Sequence, residues 1–195
     1  MSTTRLLVLG CVRERGHANG YQVRADLEDW GADLWGKIQR GSIYHALRQL
    51  HRDGYLEVVE HAQASAGPAP TVLYCLTPSG AYEFFNLLRA SLASSESDLG
   101  LLTAAVGFIT ALPRDEAIEL LRTRSAAFQE RRNSIQCMLN RTDQDWHHHI
   151  EALRLWLATA ESGDAWTMDL IGRLEAGQYE MAKEFATNTS ESDKV

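Results

Sequence analysis

GKIQRGSIYHALRQLHRDGYL, residues 36–56, predicts a short helix that a glycine ends and a strand follows. Ile43, Leu47 and Leu50 lie four and three residues apart, so their side chains share one face of a helix. At about 100° per residue, Ser42 and Gln49 lie near the edge of the opposite face. That outward face consists of Gly41, His45, Arg48 and Arg52.

The same stretch is cationic in an acidic chain. Residues 34–52 hold four basic residues and no Asp or Glu, although the whole chain has 19 basic and 26 acidic residues. The four are Lys37, Arg40, Arg48 and Arg52. A cationic helix face between a turn and a strand is what a winged helix places in the major groove of DNA. A solvated face on an ordinary amphipathic helix is the alternative that these residues leave open.

Charge is divided unevenly along the 195 residues. Residues 1–90 contain nine basic and nine acidic residues, whereas residues 91–195 contain ten and seventeen, which gives the net charge of -7. If the chain binds DNA, we expect the neutral half to do so and the acidic half to be held away from the phosphates.

The three cysteines, Cys11, Cys75 and Cys137, are an odd number with no CxxC spacing. This pattern predicts reduced thiols and neither a disulfide framework nor a zinc site. The apolar run before Cys11 is too short for a signal peptide, and no run is long enough to span a membrane. We therefore expect a cytoplasmic protein.

Hydrophobic spacing and turn residues divide the first half into six elements. They are helices over residues 4–15, 21–30 and 36–52, strands over 55–60 and 71–76, and a helix from Pro78 towards Ser94. Asn19 is expected to cap the second helix, which would bury Tyr21, Val23 or the stem of Arg24, and Leu27. Thr77 is expected to cap the last one, with Pro78 at its first position.

The second half has a helical pattern. An apolar segment, residues 99–112, precedes a long helix from Pro113 to about Asn140, along which Leu121, Phe128 and Ile135 recur every seven residues. Asp143 or Asp145 would begin the next helix. A further helix would begin at Asp164, unless the two are continuous across Gly163. Residues 187–195 are expected to be disordered.

Three spaced motifs resemble the PadR family of transcriptional regulators. They are Gly20-Tyr21, then Gly41-Ser42-Ile43-Tyr44 with Leu47, Leu50 and Gly54, then Tyr74 with Leu76-Thr77-Pro78-Ser79-Gly80. The resemblance covers roughly residues 5–90, and the second half fits the longer type of this family in length only. It implies a mainly α fold with a small β-hairpin wing. Residues 1–95 would form a winged helix-turn-helix domain and residues 96–186 a helical dimerisation and effector domain.

The resemblance implies that the helix in residues 36–52 recognises double-stranded DNA. Base edges would be contacted by Ser42, His45, Arg48 and Gln49. Tyr44 would lie at the flank, unless it is a core aromatic, and Gly20 and Tyr21 would offer backbone donors to a phosphate. Gln39 and Arg40 stand where the family often has a Ser or Thr cap, and both are expected to contact the DNA.

Phosphate binding is expected from the helices and not from the wing. The tip of the wing, residues 67–71, holds no Arg or Lys, so it would contribute little counterion release. The expected phosphate contacts are Arg24, Lys37, Arg40, Arg48 and Arg52. Arg52 would alternatively be a solvated surface residue.

One recognition helix reads few base pairs, so we expect a homodimer on a pseudo-palindromic operator. The dimer contacts are predicted to include Phe84, Leu88, Leu121, Phe128 and Ile135. The alternative is that these residues form the core of one chain.

The tryptophans of the second half suggest an effector site. Trp146, Trp156 and Trp166 would line a pocket for a flat, apolar small molecule, or would simply fill the core. His147, His148 and His149 point about 100° apart on a helix and cannot all bind one ion. We expect no metal and no cofactor.

These features together predict a DNA-binding repressor that a small-molecule effector releases from its operator. The alternative is that the same fold serves as a protein-interaction module or, with less support, as an enzyme. The enzyme is disfavoured because no nucleophile lies beside a base at a telling spacing and no phosphate-binding loop is present.

Overall fold

The first helix, α1 (Thr3–Arg15), is buried without interruption from Leu6 to Val12. The computed structural model describes residues 3–36, 38–62, 71–141 and 148–182, and the side chains of these residues apart from 60–62 and 71. It divides the chain into two compact units, residues 1–91 with 98–108 and residues 92–97 with 109–195. Within the described ranges no helix is long and apolar enough to cross a lipid bilayer.

The first unit combines helices with a small sheet. Its helices after α1 are α2 (Gly20–Asp29), α3 (Ala32–Trp35), α4 (Arg40–Arg52), α5 (Pro78–Ala93), which ends in the second unit, and α6 (Leu99–Gly107). The strands are β1 (His17–Ala18), β2 (Leu56–Ala62) and β3 (Thr71–Leu76), in the antiparallel order β1-β3-β2. The fold is mainly α with a β-hairpin wing, which confirms the predicted fold class.

Two features of this unit differ from the sequence prediction. The glycine-bounded segment 16–20 predicts a turn, but two of its residues, His17 and Ala18, form β1. It is a strand only through pairing of His17 with Cys75 and Ala18 with Tyr74. The second difference is α6, which the sequence assigns to the helical half but which packs against α1 and α3. Its apolar sequence allows this because Leu101 and Leu102 are buried there.

The predicted cap of α2 is confirmed. The Asn19 side chain accepts a hydrogen bond from the Gln22 N–H, and the Gln22 side chain accepts one from the Asn19 N–H, both at 2.9 Å. The expectation that Tyr21 is buried is wrong, since this side chain is 64% exposed. The predicted burial of Leu27 is confirmed, and of the two alternatives at the preceding turn it is Val23 that is buried.

The second unit consists of a 3-10 turn (Ile109–Ala111) and two long helices, α7 (Arg114–Arg141) and α8 (Ile150–Glu175). The predicted long helix is confirmed as α7. α8 is continuous across Gly163, so Asp164 does not cap a helix. Its carboxylate instead accepts a hydrogen bond from Ser125 Oγ of α7 at 2.5 Å. Asp143 and Asp145 lie outside the described residues.

Two arginines of α7 hold the segment 92–97. Arg124 is buried, and it donates a hydrogen bond to the Ser94 carbonyl while its guanidinium lies 5.0 Å from the Phe128 ring centroid. Burial, with the nearby charge of Arg131, lowers the pKa of Arg124. Arg131 Nη2 lies 3.0 Å from Glu96. The segment that connects α5 to α6 is therefore fixed to α7 at two points.

The residues predicted as dimer contacts are all buried within the single chain. Phe84 and Leu88 lie in the core of the first unit, and Leu121, Phe128 and Ile135 in that of the second. Burial in the core of one chain is the alternative to a dimer contact that the sequence left open for these residues. In this conformation these side chains offer no surface to a partner, so a dimer contact must use exposed residues of the same helices.

Cys11 is expected to be unreactive in the folded protein. Burial and, to a lesser extent, the charge of Asp26 raise the pKa of its thiol to about 12. Because a raised pKa favours the neutral thiol, only roughly one Cys11 in ten thousand would be ionised at pH 8. Peptide mapping after iodoacetamide treatment at pH 8 should show Cys137, which is exposed, modified long before Cys11. Equal rates of modification of Cys11 and Cys137 in the folded protein would contradict the expected protection of Cys11. In urea both cysteines should react.

Candidate DNA-binding interface

α4 has one buried face and one exposed face, as its sequence predicts. Ile43, Leu47 and Leu50 are buried, and the helix packs against α1, α2 and β2. The opposite face is open to solvent. Its exposed residues are Gly41, Tyr44, His45, Arg48, Gln49 and Arg52.

The exposed residues form two rows, each beside a groove. Tyr44 and Arg48 lie four residues apart and line a groove of about 320 Å³. Its other walls are Asn19, Gly20, Tyr21, Leu47, Val72 and Tyr74. His45 and Gln49 lie on the other side and line a groove of about 210 Å³ with Ser42 and the α1 residues Thr4 and Arg5. The surface around α4 thus spans from α1 to the wing.

Tyr44 lies over the start of α2. A Cβ atom at position 20 would come within 2.4 Å of Tyr44 Cε1, so the tyrosine ring needs glycine at this position. The ring remains 39% exposed and is therefore not a core aromatic. Tyr44 and the first turn of α2 form one continuous surface. This surface lies at the flank of α4, where the sequence predicts Tyr44.

Ser42 is partly used by the helix itself. Its hydroxyl donates a hydrogen bond of 2.6 Å to the Gln39 carbonyl, and Gln39 is the N-terminal cap without a side-chain hydrogen bond of its own. Ser42 therefore keeps only oxygen lone pairs for a base edge. As an acceptor it would suit the amino group of cytosine or adenine.

The arginines of the interface differ in their partners. Within the described part of the chain no carboxylate pairs with Arg48 or Arg52. Arg24 and Arg40 both approach Glu28 Oε1, with their Nε atoms at 3.5 Å and 3.4 Å. Lys37 lies outside the described residues.

Two residues of this surface were missing from the predicted site. Glu28 lies four residues after Arg24 in α2, a spacing that predicts an ion pair, but its contact with Arg40 depends on the packing of α2 on α4. Tyr74 was noted only as part of a motif. Its ring lines the groove beside Arg48 because β3 lies between the other two strands.

Of the predicted effector residues, Trp156 and Trp166 do not line the same groove. Trp146 lies outside the described residues. Trp156 is 58% exposed and lines a groove of about 380 Å³ between α7 and α8, which Trp166 does not line. The other walls are Arg131, Ser134, Ile135, Met138, Thr159 and Ala160. His147 also lies outside the described residues, and within the described ranges no group of His, Cys, Asp or Glu could hold a metal.

The helices α1, α2 and α4 are followed by the β2–β3 hairpin, and α4 exposes a cationic face. This arrangement defines a winged helix-turn-helix fold. Residues 8–85 match the family model described as "Transcriptional regulator PadR-like family". Over these residues the chain is similar to that family of transcriptional regulators.

Comparison with solved structures gives low similarity over most of the chain. PadR of Bacillus subtilis with operator DNA is 19% identical, with a TM-score of 0.40 over 87% of this chain and 98% of that one. The same protein with p-coumaric acid is 18% identical, with a TM-score of 0.38 over 89% and 99%. A PadR-like regulator of Bacillus cereus is 16% identical, with a TM-score of 0.38 over 89% and 99%. A search of curated proteins finds no match.

Proposed function

We propose that this regulator is a homodimeric repressor that reads a pseudo-palindromic operator with α4 and leaves it when a small molecule binds. DNA binding is supported by one observation, the exposed face of α4. On this face Arg48 and Arg52 have no carboxylate partner among the described residues. Such a regulator would act in the cytoplasm, where the DNA is. The first unit would bind DNA and the second would dimerise and sense the effector, so that α6 belongs with the DNA-binding domain and not with residues 96–186.

The exposed face of α8 supports dimerisation. Along it run small or apolar residues at spacings of three and four, of which Leu155 is 66% exposed. The others are Ala152, Ala158, Ser162, Ala165 and Met168, all exposed. Small side chains in such a stripe allow a second helix to approach closely, and Leu155 and Met168 supply apolar area. This stripe, and not the buried Leu121, Phe128 and Ile135, is the proposed contact in the second unit.

The groove between α7 and α8 is the proposed effector site. Its floor is apolar, through Ile135 and Met138, and the Trp156 ring forms one wall. Arg131 lies at this groove and also binds Glu96. A ligand that engages Arg131 would release Glu96 and loosen the segment 92–97, which would connect the groove to the DNA-binding half through the chain.

DNA binding is tested by fluorescence anisotropy with a labelled duplex from the region upstream of the coding sequence. We expect binding at least about 10³-fold tighter than to a scrambled duplex. The logarithm of the binding constant should fall steeply with the logarithm of salt concentration, because several phosphates are neutralised. Equal affinity for both duplexes, or insensitivity to salt, would contradict the assignment of α4. Sedimentation of the free protein tests the dimer, and Leu155→Glu should dissociate it.

Ligand binding is tested with the aromatic dye 8-anilinonaphthalene-1-sulfonate. Its fluorescence should rise on binding to the wild type and rise much less with Trp156→Ala, since Trp156 lines the groove. Trp166→Ala is the matched control, because it removes the same side chain from the same helix outside the groove. Equal loss of the signal in both variants would remove the support for this site.

A further inference from the structure

We propose that Glu28 occupies the position of a DNA phosphate in the free protein and thereby sets the affinity for DNA. The carboxylate would hold Arg24 and Arg40 until a phosphodiester replaces it. This inference rests on the proposed function in one respect, namely that the ligand of α4 is duplex DNA.

The contacts place one oxygen between two cations. Glu28 Oε1 lies 3.5 Å from Arg24 Nε and 3.4 Å from Arg40 Nε. Arg24 and Glu28 belong to α2, whereas Arg40 is the first residue of α4. The carboxylate therefore joins the two helices at the N-terminus of the recognition helix, where the macrodipole and the first free N–H groups also favour an anion.

Four charged side chains border one cleft, namely those of Arg24, Glu28, Asp33 and Arg40. With Ile38 and Ile43 they line a space of about 270 Å³. Two guanidinium groups face the carboxylate of Glu28, and the carboxylate of Asp33 lines the same cleft without an ion pair among the described residues. The four formal charges of the cleft cancel, but Glu28 by itself contacts two guanidinium groups, and this pair of arginines can bind another anion. A phosphodiester matches this pair because guanidinium groups bind phosphate oxygens through directed, charge-assisted hydrogen bonds.

The two arginines differ in freedom, which suits an exchange of anions. The Arg24 guanidinium lies 5.2 Å from the Tyr21 ring centroid, and its side chain is mostly covered. The Arg40 side chain is 76% exposed and can follow a phosphate. Glu28 is itself nearly half exposed, so its carboxylate can rotate into solvent.

Binding of DNA would then break both contacts of Glu28 and leave its negative charge beside the phosphate. Removing that charge should strengthen binding. Because exposed ion pairs are weak, we expect Glu28→Gln to lower the dissociation constant by roughly three- to tenfold. The gain should be the same for operator and scrambled duplexes, since a phosphate contact carries no sequence information.

Asp33→Asn is the matched control. It removes one negative charge from the same cleft, but Asp33 has no arginine partner within the described ranges. It therefore measures the general electrostatic gain, and Glu28→Gln must exceed it. Anisotropy titrations of the full chain at two salt concentrations supply both dissociation constants, and circular dichroism verifies that each variant is folded.

A double-mutant cycle tests the specific contact. In the Arg40→Ala background, Glu28→Gln should gain less than in the wild type, because Glu28 then holds only Arg24, whereas the gain from Asp33→Asn should be unchanged. The proposal is overturned if Glu28→Gln gains no more than Asp33→Asn in the wild-type background, or if it weakens binding. A wild type that binds no duplex at any salt concentration would instead refute DNA binding itself, and this inference with it.

Discussion

Arg48→Ala is expected to weaken binding to the operator by about 1–3 kcal/mol, because Arg48 would lose a bidentate contact with guanine. The side chain lies on the exposed face of α4, beside Tyr44 and Tyr74, and no carboxylate among the described residues competes for it. Anisotropy titrations with operator and scrambled duplexes measure the change. Binding to the scrambled duplex should change less, so the ratio of the two affinities should fall.

Two companion variants separate base reading from charge. Arg48→Lys keeps the charge but loses the planar fork, so it should keep the salt dependence and lose discrimination between duplexes. Arg52→Ala removes an exposed arginine one turn further along α4 and should weaken binding to both duplexes about equally. If Arg48→Ala bound the operator as tightly as the wild type, α4 would not be the helix that reads it.

Gly80→Ala is expected to destabilise the first unit by about 2–3 kcal/mol, the upper part of the range for overpacking. A Cβ atom at this position would come within 1.9 Å of the Tyr55 carbonyl oxygen and 2.9 Å of its carbon, and both are backbone atoms. Relief would require α5 to move away from the start of β2. That movement would break the hydrogen bond of 2.7 Å from Thr77 Oγ to the Gly54 carbonyl.

Urea unfolding measures this effect through Trp30 and Trp35, which belong to the first unit. The unfolding midpoint should fall with little change in slope. Gly41→Ala is the control, because its Cβ would meet no atom within 4 Å in the first turn of α4. It should be neutral or stabilise the helix by up to about 1 kcal/mol. If the unfolding midpoint of Gly80→Ala equalled that of the wild type, α5 could move away from Tyr55 without loss of stability, and the prediction would be wrong.

The prediction of the recognition helix from sequence succeeded because its information is local. The faces of α4 follow from the spacing of Ile43, Leu47 and Leu50. The caps at Asn19 and Thr77 use side-chain hydrogen bonds that reach three residues along the chain. Interactions of this range are fixed by the helical period and by hydrogen-bond geometry, and neither needs the rest of the fold.

Tertiary packing decided the remaining features, because they depend on residues distant in sequence. β1 exists only because β3, more than fifty residues later, pairs with it. α8 continues across Gly163 although glycine is a poor helix former, and only the packing of Phe128 against it shows why a larger residue would not fit. The cationic stretch from which the fold was predicted contains Arg40 but not Glu28. Their ion pair forms because α2 packs on α4, so the sequence alone determined which residues face outward, and the fold decided which of their charges are already occupied.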